Sequence, residues 1–494
     1  MRQGWRWFGP EAPVTLDDVR QTGATNIVSS LHQVPIGQAW TEKEVRERQS
    51  LIETTPGDRS PLVWSVVESI PIPDAVKRKG GEAKAEIEAW IASLEAVAAC
   101  GIPIVCYNFM PVVDWTRTDL DFVTPTGATA MRFDHERFAA FDLFILERPD
   151  ATQQYSEEDR ERARVVYEAM SEEEVADLTR IIASALPGST TEPLTIPAFR
   201  EKLVAYSGID AARLRRHLIE FLEAVTPAAE ARGVKLTLHP DDPPRSLFGL
   251  PRIASTAEDY AALFDAVPSA ANGMCYCTGS LGVRADNDLP AIARRFASRI
   301  HFAHLRATTR EGDGRTFHES AHLEGDVDMV AVLRELVAED RRRSAENTIV
   351  FRSDHGHRML DDLDKTVTPG YPAIGRMRGL AELRGILHAL DAPRPEGVGV
   401  ARHRKSLRSG AQATLQSAQP FRNRFAHIFA LAAISSIPGG CCWRSIAARC
   451  GSMIIIPRSI PQAACGSSSA ISPRSICLRS QSSISALVLT IAFS

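Results

Sequence analysis

The stretch Gly273-Met-Cys-Tyr-Cys277-Thr-Gly-Ser280 runs five residues without a charged or amide side chain and closes on a turn-forming Thr-Gly-Ser. A strand with one face in water alternates apolar and polar residues. A strand covered on both faces does not, and such strands belong to parallel sheets whose crossovers are helices. Working outward, short β-rich runs recur at Trp5–Phe8, Thr25–Ser30, Leu62–Glu68, Ile102–Tyr107, Val234–His239, Arg299–His304 and Thr348–Arg352, which with Gly273–Cys277 makes eight. Between them lie longer segments with helical spacing, Thr41–Thr54 and Lys84–Cys100 among them, suited to parallel crossovers. Eight such units predict an α/β fold, a closed (β/α)8 TIM barrel.

One connection is too long for a single crossover. Asn108 to Gly233 contains three helical patterns, Ser156–Met170, Glu172–Ala185 and Ala211–Ala231, so a helical insertion is expected over about residues 120–232, between the fourth and fifth strands. The barrel domain is expected to span residues 1–390.

Composition limits function. Apolar residues at 44% and charged residues at 24% are ordinary for a soluble enzyme, and a formal charge of −4 gives no general pull toward nucleic acid or membrane. That charge hides an asymmetry: from Gly397 to Ser494 there are 11 basic residues and no acidic one, leaving 46 basic against 61 acidic before it. The same stretch holds 18 serines and five of the nine cysteines. Residues 391–494 are therefore read as an unstructured or aberrant tail, translated in a wrong frame, and not as a domain. A basic nucleic-acid-binding arm fits less well, because apolar runs such as Ile428–Ile434 interrupt its arginines. The first ten residues lack the basic-then-apolar pattern of a secretion signal, and the run Ile484–Phe493 is too short to cross a bilayer, so a cytoplasmic enzyme without membrane or nucleic-acid partners is expected. Cys100, Cys106, Cys275 and Cys277 are too few and scattered for a disulfide framework.

In a parallel barrel the active site collects at the C-terminal strand ends, so the residues closing each run are the informative ones. The fifth run closes on His239-Pro-Asp-Asp-Pro-Pro, the sixth on Cys277, the seventh on His304-Leu-Arg306, and the eighth on Arg352-Ser-Asp354-His355. Two imidazoles, a thiolate and a carboxylate from four successive strands could hold one divalent ion and leave positions open for substrate; donor type alone admits zinc, iron(II) or manganese. Glu68 and Asn108 close earlier runs, and Arg117 and Arg306 would suit an anionic substrate, since guanidinium pairs bidentately with carboxylate.

A competing motif is His318-Glu319-Ser-Ala-His322, which fits the zinc-peptidase pattern HExxH. That chemistry needs a helix, and Gly325 three residues later would cut it short, so the segment is expected to be a loop beside the barrel mouth.

Taken together, Trp5-Arg-Trp-Phe-Gly-Pro, Cys106-Tyr-Asn-Phe-Met-Pro-Val-Val-Asp-Trp-Thr-Arg-Thr-Asp119, His239-Pro-Asp-Asp-Pro-Pro244, Cys277-Thr-Gly-Ser-Leu-Gly-Val-Arg284, His304-Leu-Arg306, Asp354-His-Gly356 and Pro369-Gly-Tyr371 resemble the mannonate dehydratase family of hexuronate catabolism, from Met1 to about Leu390. The resemblance implies a xylose-isomerase-like barrel that eliminates water from D-mannonate to give 2-keto-3-deoxy-D-gluconate, using Mn²⁺ or Fe²⁺. It implies the metal ligands His239, Cys277, His304 and Asp354, with Tyr371 as an acid/base residue and His355 assisting it; Glu68, Asn108, Arg117 and Arg306 are expected to face the substrate. A homo-oligomer, a dimer, is expected. Ser353 and Gln33 depart from the family pattern, though neither is a ligand. The alternatives are a metal-dependent sugar isomerase on the same barrel, which a thiolate ligand disfavours, and a zinc metallopeptidase through His318 and His322.

Overall fold

A computed structural model describes residues 1–184 and 193–391. In chain order its strands are β1 (Arg2–Arg6), β2 (Asn26–Ser29), β3 (Val63–Glu68), β4 (Ile104–Tyr107), β5 (Asp119–Val123), β6 (Thr129–Phe133), β7 (Lys235–Leu238), β8 (Asn272–Cys277), β9 (Ile300–His304), β10 (Ala307–Glu311), β11 (Thr316–Ser320) and β12 (Val350–Arg352). Eight of them close a parallel barrel in the order β1-β12-β9-β8-β7-β4-β3-β2. All eight expected strands are present; the first lies upstream of its expected place, at Arg2–Arg6.

The barrel closes because its strands bury both faces: every residue of β2, β4 and β8 is buried. Side chains alternate along each strand, and the inward set forms layers. Val28, Val66, Ile104, Cys106, Cys275, Phe302 and Val350 make an apolar cluster inside the barrel. Two residues further along β3, β8, β9 and β12, the same inward direction carries Glu68, Cys277, His304 and Arg352. Register keeps this second layer level, since Cys277 pairs with His304 and His304 with Arg352. A polar ring thus sits at the C-terminal rim directly above an apolar plug.

Outside the strands, helices supply the larger core. Helix Glu42–Glu53 starts where Thr41 and Glu44 cap each other reciprocally, the Glu44 carboxylate accepting the Thr41 N–H at 2.8 Å. Helix Ala211–Arg232 buries Leu214, Leu218, Phe221, Leu222 and Val225 in this core, so it is a crossover helix of the barrel and not part of the insertion proper.

The insertion also differs from expectation at its start. Instead of helices alone it opens with the β5–β6 hairpin, which joins the β10–β11 hairpin in a four-stranded antiparallel sheet ordered β10-β11-β6-β5. Because β10 begins three residues after β9 ends, this sheet rises from the rim of the barrel. It shares an apolar cluster with the inserted helices, in which Phe133 and Phe317 stack at 5.6 Å. The expected tail lies, Asp391 apart, outside the described residues. Among the described residues no helix is long and apolar enough to cross a membrane.

Candidate metal centre and active site

His239 directly follows β7 and extends its ladder, donating its backbone N–H to the Tyr107 carbonyl at 2.9 Å. Its Nδ1–H donates to the Pro240 carbonyl at 2.7 Å, which leaves Nε2 with the lone pair a metal needs. Cys277 ends β8 and heads the short helix Thr278–Gly282, whose Ser280 N–H donates to the sulfur at 3.4 Å. His304 ends β9, fully buried, its ring 5.0 Å from that of His239. Donor atoms of His239, Cys277 and His304 all lie within 4.8 Å of one another.

Does this set fit a metal ion? Neither ring nitrogen of His304 has a hydrogen-bond partner although both are buried; the nearest carboxylate oxygens are Glu68 at 3.5 Å and Asp354 at 3.9 Å. Leaving buried polar nitrogens unpaired is costly, and a shared divalent ion relieves it. The donor set fits one. Asp354 stands at the edge of the group, its Oδ2 3.7 Å from the Cys277 sulfur. It adopts a left-handed backbone at φ 57°, and Arg306 (2.6 Å) and Arg352 (2.5 Å) hold its two oxygens.

These pairs belong to a longer buried chain of charges. Arg117 bonds Asp242 at 2.7 Å and Glu319 at 2.8 Å; Arg306 bonds Asp242, Glu319 and Asp354; Arg352 bonds Asp354 and, at 2.9 Å, Glu68; Arg6 closes the chain on Glu68 at 3.1 Å. Burial would raise the four carboxylates, but the guanidinium groups outweigh it. Arg352 holds Asp354 and Glu68 well below the ordinary range, and Arg306 and Arg117 lower Glu319 and Asp242. All four are therefore ionised at neutral pH. Gly279 makes room for this chain, since a Cβ there would overlap the Arg306 side chain.

Arg117 was expected to grip an anionic substrate. It is fully buried, with Trp115 and Phe317 each 4.9 Å from its guanidinium and its fork spent on Asp242 and Glu319, so it anchors the network instead. Arg306 is similarly occupied. Glu68 reaches toward His304, and Asn108 sits half-buried at the end of β4. Tyr371 and His355 lie together, ring centroids 5.0 Å apart and edge to face, beside Phe8 and Arg352. Burial pushes the Tyr371 hydroxyl above its ordinary value, with Arg352 opposing, so the phenol is protonated at neutral pH.

The HExxH segment is not helical: His318 and Glu319 lie on β11, and His322 follows in a turn. It is thus a strand rather than the expected loop, and its histidines part, His318 toward Glu311 at 2.8 Å and His322 toward the Ser353 carbonyl at 2.5 Å. The zinc-peptidase alternative fails on this geometry. Sequence reasoning assigned no role to Asp242 or Arg352 and weighed Glu319 only within the HExxH pattern, though Asp242 stands in the His239-Pro-Asp-Asp block and Arg352 closes the eighth run.

Residues 1–395 match the family model described as D-mannonate dehydratase (UxuA). A protein named mannonate dehydratase from Brucella canis is 74% identical over 392 residues, covering 79% of this chain and 98% of that one. One of the same name from Chromohalobacter salexigens is 52% identical, covering 79% and 99%. The crystal structure of mannonate dehydratase from Streptococcus suis serotype 2 superposes with a TM-score of 0.61 at 31% identity, over 79% of this chain and 93% of that one. With the family model, the curated relatives and the solved structure in agreement, the chain belongs to the D-mannonate dehydratase family.

Proposed function

We propose that this enzyme, a hydro-lyase, converts D-mannonate to 2-keto-3-deoxy-D-gluconate in glucuronate catabolism, as a cytoplasmic homodimer with Mn²⁺ or Fe²⁺ bound. One observation carries the reading: His239, Cys277 and His304 converge at the barrel rim with Asp354 beside them, next to the Tyr371–His355 pair. An isomerase reading has no comparable support, since the relatives named above are dehydratases.

The reaction breaks the C–H bond beside the substrate carboxylate and the C–O bond on the next carbon. The proton passes to a base, the hydroxyl leaves as water, and the resulting enol becomes the ketone. When bound, a divalent ion supplies Lewis acidity toward substrate oxygen. His239, Cys277, His304 and Asp354 would hold it. Tyr371, kept neutral by burial, gives a proton to the departing hydroxyl in this reading, and His355 beside it assists proton movement. Arg306 and Arg117 act by holding Asp354 and Glu319 in place, while Glu68 and Asn108 face the substrate from β3 and β4.

The test is turnover of D-mannonate by the metal-stripped protein reloaded with Mn²⁺ or Fe²⁺, in wild type and Tyr371→Phe. The variant should keep its metal and lose about 10²- to 10⁴-fold in rate. Absence of any dehydration with either ion, alongside isomerisation of a free sugar, would overturn the proposal.

A further inference from the structure

The segment His318-Glu319-Ser-Ala-His322 is left without a role once peptidase chemistry is excluded, yet it touches the catalytic loop at three points. His355 Nδ1 bonds Glu319 Oε1 at 3.1 Å, His357 Nε2 bonds the Glu319 carbonyl at 2.9 Å, and His322 Nε2 bonds the Ser353 carbonyl at 2.5 Å. We infer that Glu319 is a positioning residue of the dehydration, acting through His355 by setting which ring nitrogen carries its proton and where the ring points. The inference rests on the role proposed for His355.

The tautomer follows from hydrogen-bond accounting. Both Glu319 oxygens accept from Arg306 Nη1 at 2.7 Å, and Oε1 also accepts from Arg117 Nη2 at 2.8 Å. A carboxylate engaged by two guanidinium groups is ionised and can only accept. His355 Nδ1 must therefore be the donor, and in the neutral ring the lone pair falls on Nε2, away from Glu319. Residue 319 is buried, so solvent offers no competing partner.

The clamp is also built from behind. Helix Ala373–Asp391 presents Gly375 to the backbone of His357 and Gly379 to the ring of His322; a Cβ at either would overlap them. Loop 353–357 is thus held between this helix and the β11 arm. His318, by contrast, bonds Glu311 and takes no part.

A double-mutant cycle tests this on the metal-loaded protein, with kcat, KM and metal content measured for Glu319→Gln, His355→Gln and the pair. Glu319→Gln should lower kcat about 10- to 100-fold, the range seen when partners that orient a histidine are lost, with KM and metal content unchanged. In the His355→Gln background it should cost nothing further, Glu319→Asp should restore part of the rate, and His318→Ala should leave it unaltered. Multiplying penalties in the double variant, or metal loss in parallel with rate, would overturn the inference. A normal Glu319→Gln beside an inactive His355→Gln sinks this inference alone, whereas a fully active His355→Gln sinks both it and the role proposed for His355. Should Glu319→Gln not fold, ¹⁵N spectra of histidine-labelled, Mg²⁺-loaded wild type decide: the resonance lost in His355→Gln must report Nδ1–H, and an Nε2–H form overturns the inference.

Discussion

Replacing Arg117 by methionine removes one charge from the buried chain while keeping most of the volume between Trp115 and Phe317. Arg117 has no exposed surface and pairs with two carboxylates, Asp242 at 2.7 Å and Glu319 at 2.8 Å. Breaking a buried ion pair from one side costs about 3–5 kcal/mol, because the partner charge stays buried without its counterion. Here both acids keep Arg306, so the lower end applies, about 3 kcal/mol. The assay is equilibrium urea unfolding of metal-free wild type and Arg117→Met, read by tryptophan fluorescence. Adding Glu319→Gln to Arg117→Met restores equal numbers of positive and negative charges. That double variant should therefore be more stable than the sum of the two single losses by about 1 kcal/mol or more. A midpoint for Arg117→Met indistinguishable from wild type, or strict additivity in the double variant, would refute the idea that charge balance holds this region together.

Three further outcomes are expected. His239→Ala should lose the metal and match the metal-free wild type in stability, since its imidazole hydrogen-bonds only the adjacent carbonyl, whereas Asp354→Ala should lose metal and stability alike, because it strands Arg306 and Arg352; metal analysis, and melting of the metal-free proteins, check this. Acid should destabilise the fold in two stages. Burial lowers His32 and His301 to about 3, so unfolding takes up protons there as pH falls below about 6.5, at about 1.4 kcal/mol per pH unit for each. The lowered carboxylates Glu68, Asp242, Glu319 and Asp354 contribute stability that is present above about pH 4 and lost below it, and a urea midpoint flat from pH 7 to 4 would contradict the first stage. Deleting residues 392–494, which lack any acidic residue after Glu396, should raise soluble yield and leave metal content and turnover unchanged; loss of turnover would make the tail a working part.

The barrel was legible because burial on both faces leaves a local mark. Ile104–Tyr107 and Gly273–Cys277 carry no charged or amide side chain, and the run ends where a reactive side chain meets the rim. The first strand was placed too late because Arg2 looks like a surface residue, although it reaches the Thr348 carbonyl. Strands β5 and β6 were missed for a different reason. The sheet they join is completed far along the chain, where β6 pairs with β11 and Phe133 stands opposite Phe317, and no local period records such a pairing. The partners of Arg117 were hidden on the same ground, its carboxylates standing 125 and 202 residues away. A sequence marks which residues can carry charge; only the fold decides whether that charge faces a ligand or another side chain.

Counting charge over the site joins the network to the chemistry. Arg6, Arg117, Arg306 and Arg352 balance Glu68, Asp242, Glu319 and Asp354, so the chain of ion pairs is neutral by itself. A divalent ion held by the proposed thiolate and two neutral imidazoles would add a single positive charge to it. Arg376 adds more of the same sign: although burial lowers it to about 9 it stays charged at neutral pH, 5.2 Å from the Tyr371 ring. In a region closed to water such an excess is poorly screened, and it favours a ligand bringing one negative charge to the rim. A sugar acid brings that charge where a free sugar does not. The arginines therefore need not touch the substrate to select it, because by neutralising Glu68, Asp242, Glu319 and Asp354 they would leave a bound ion's charge for the substrate to meet.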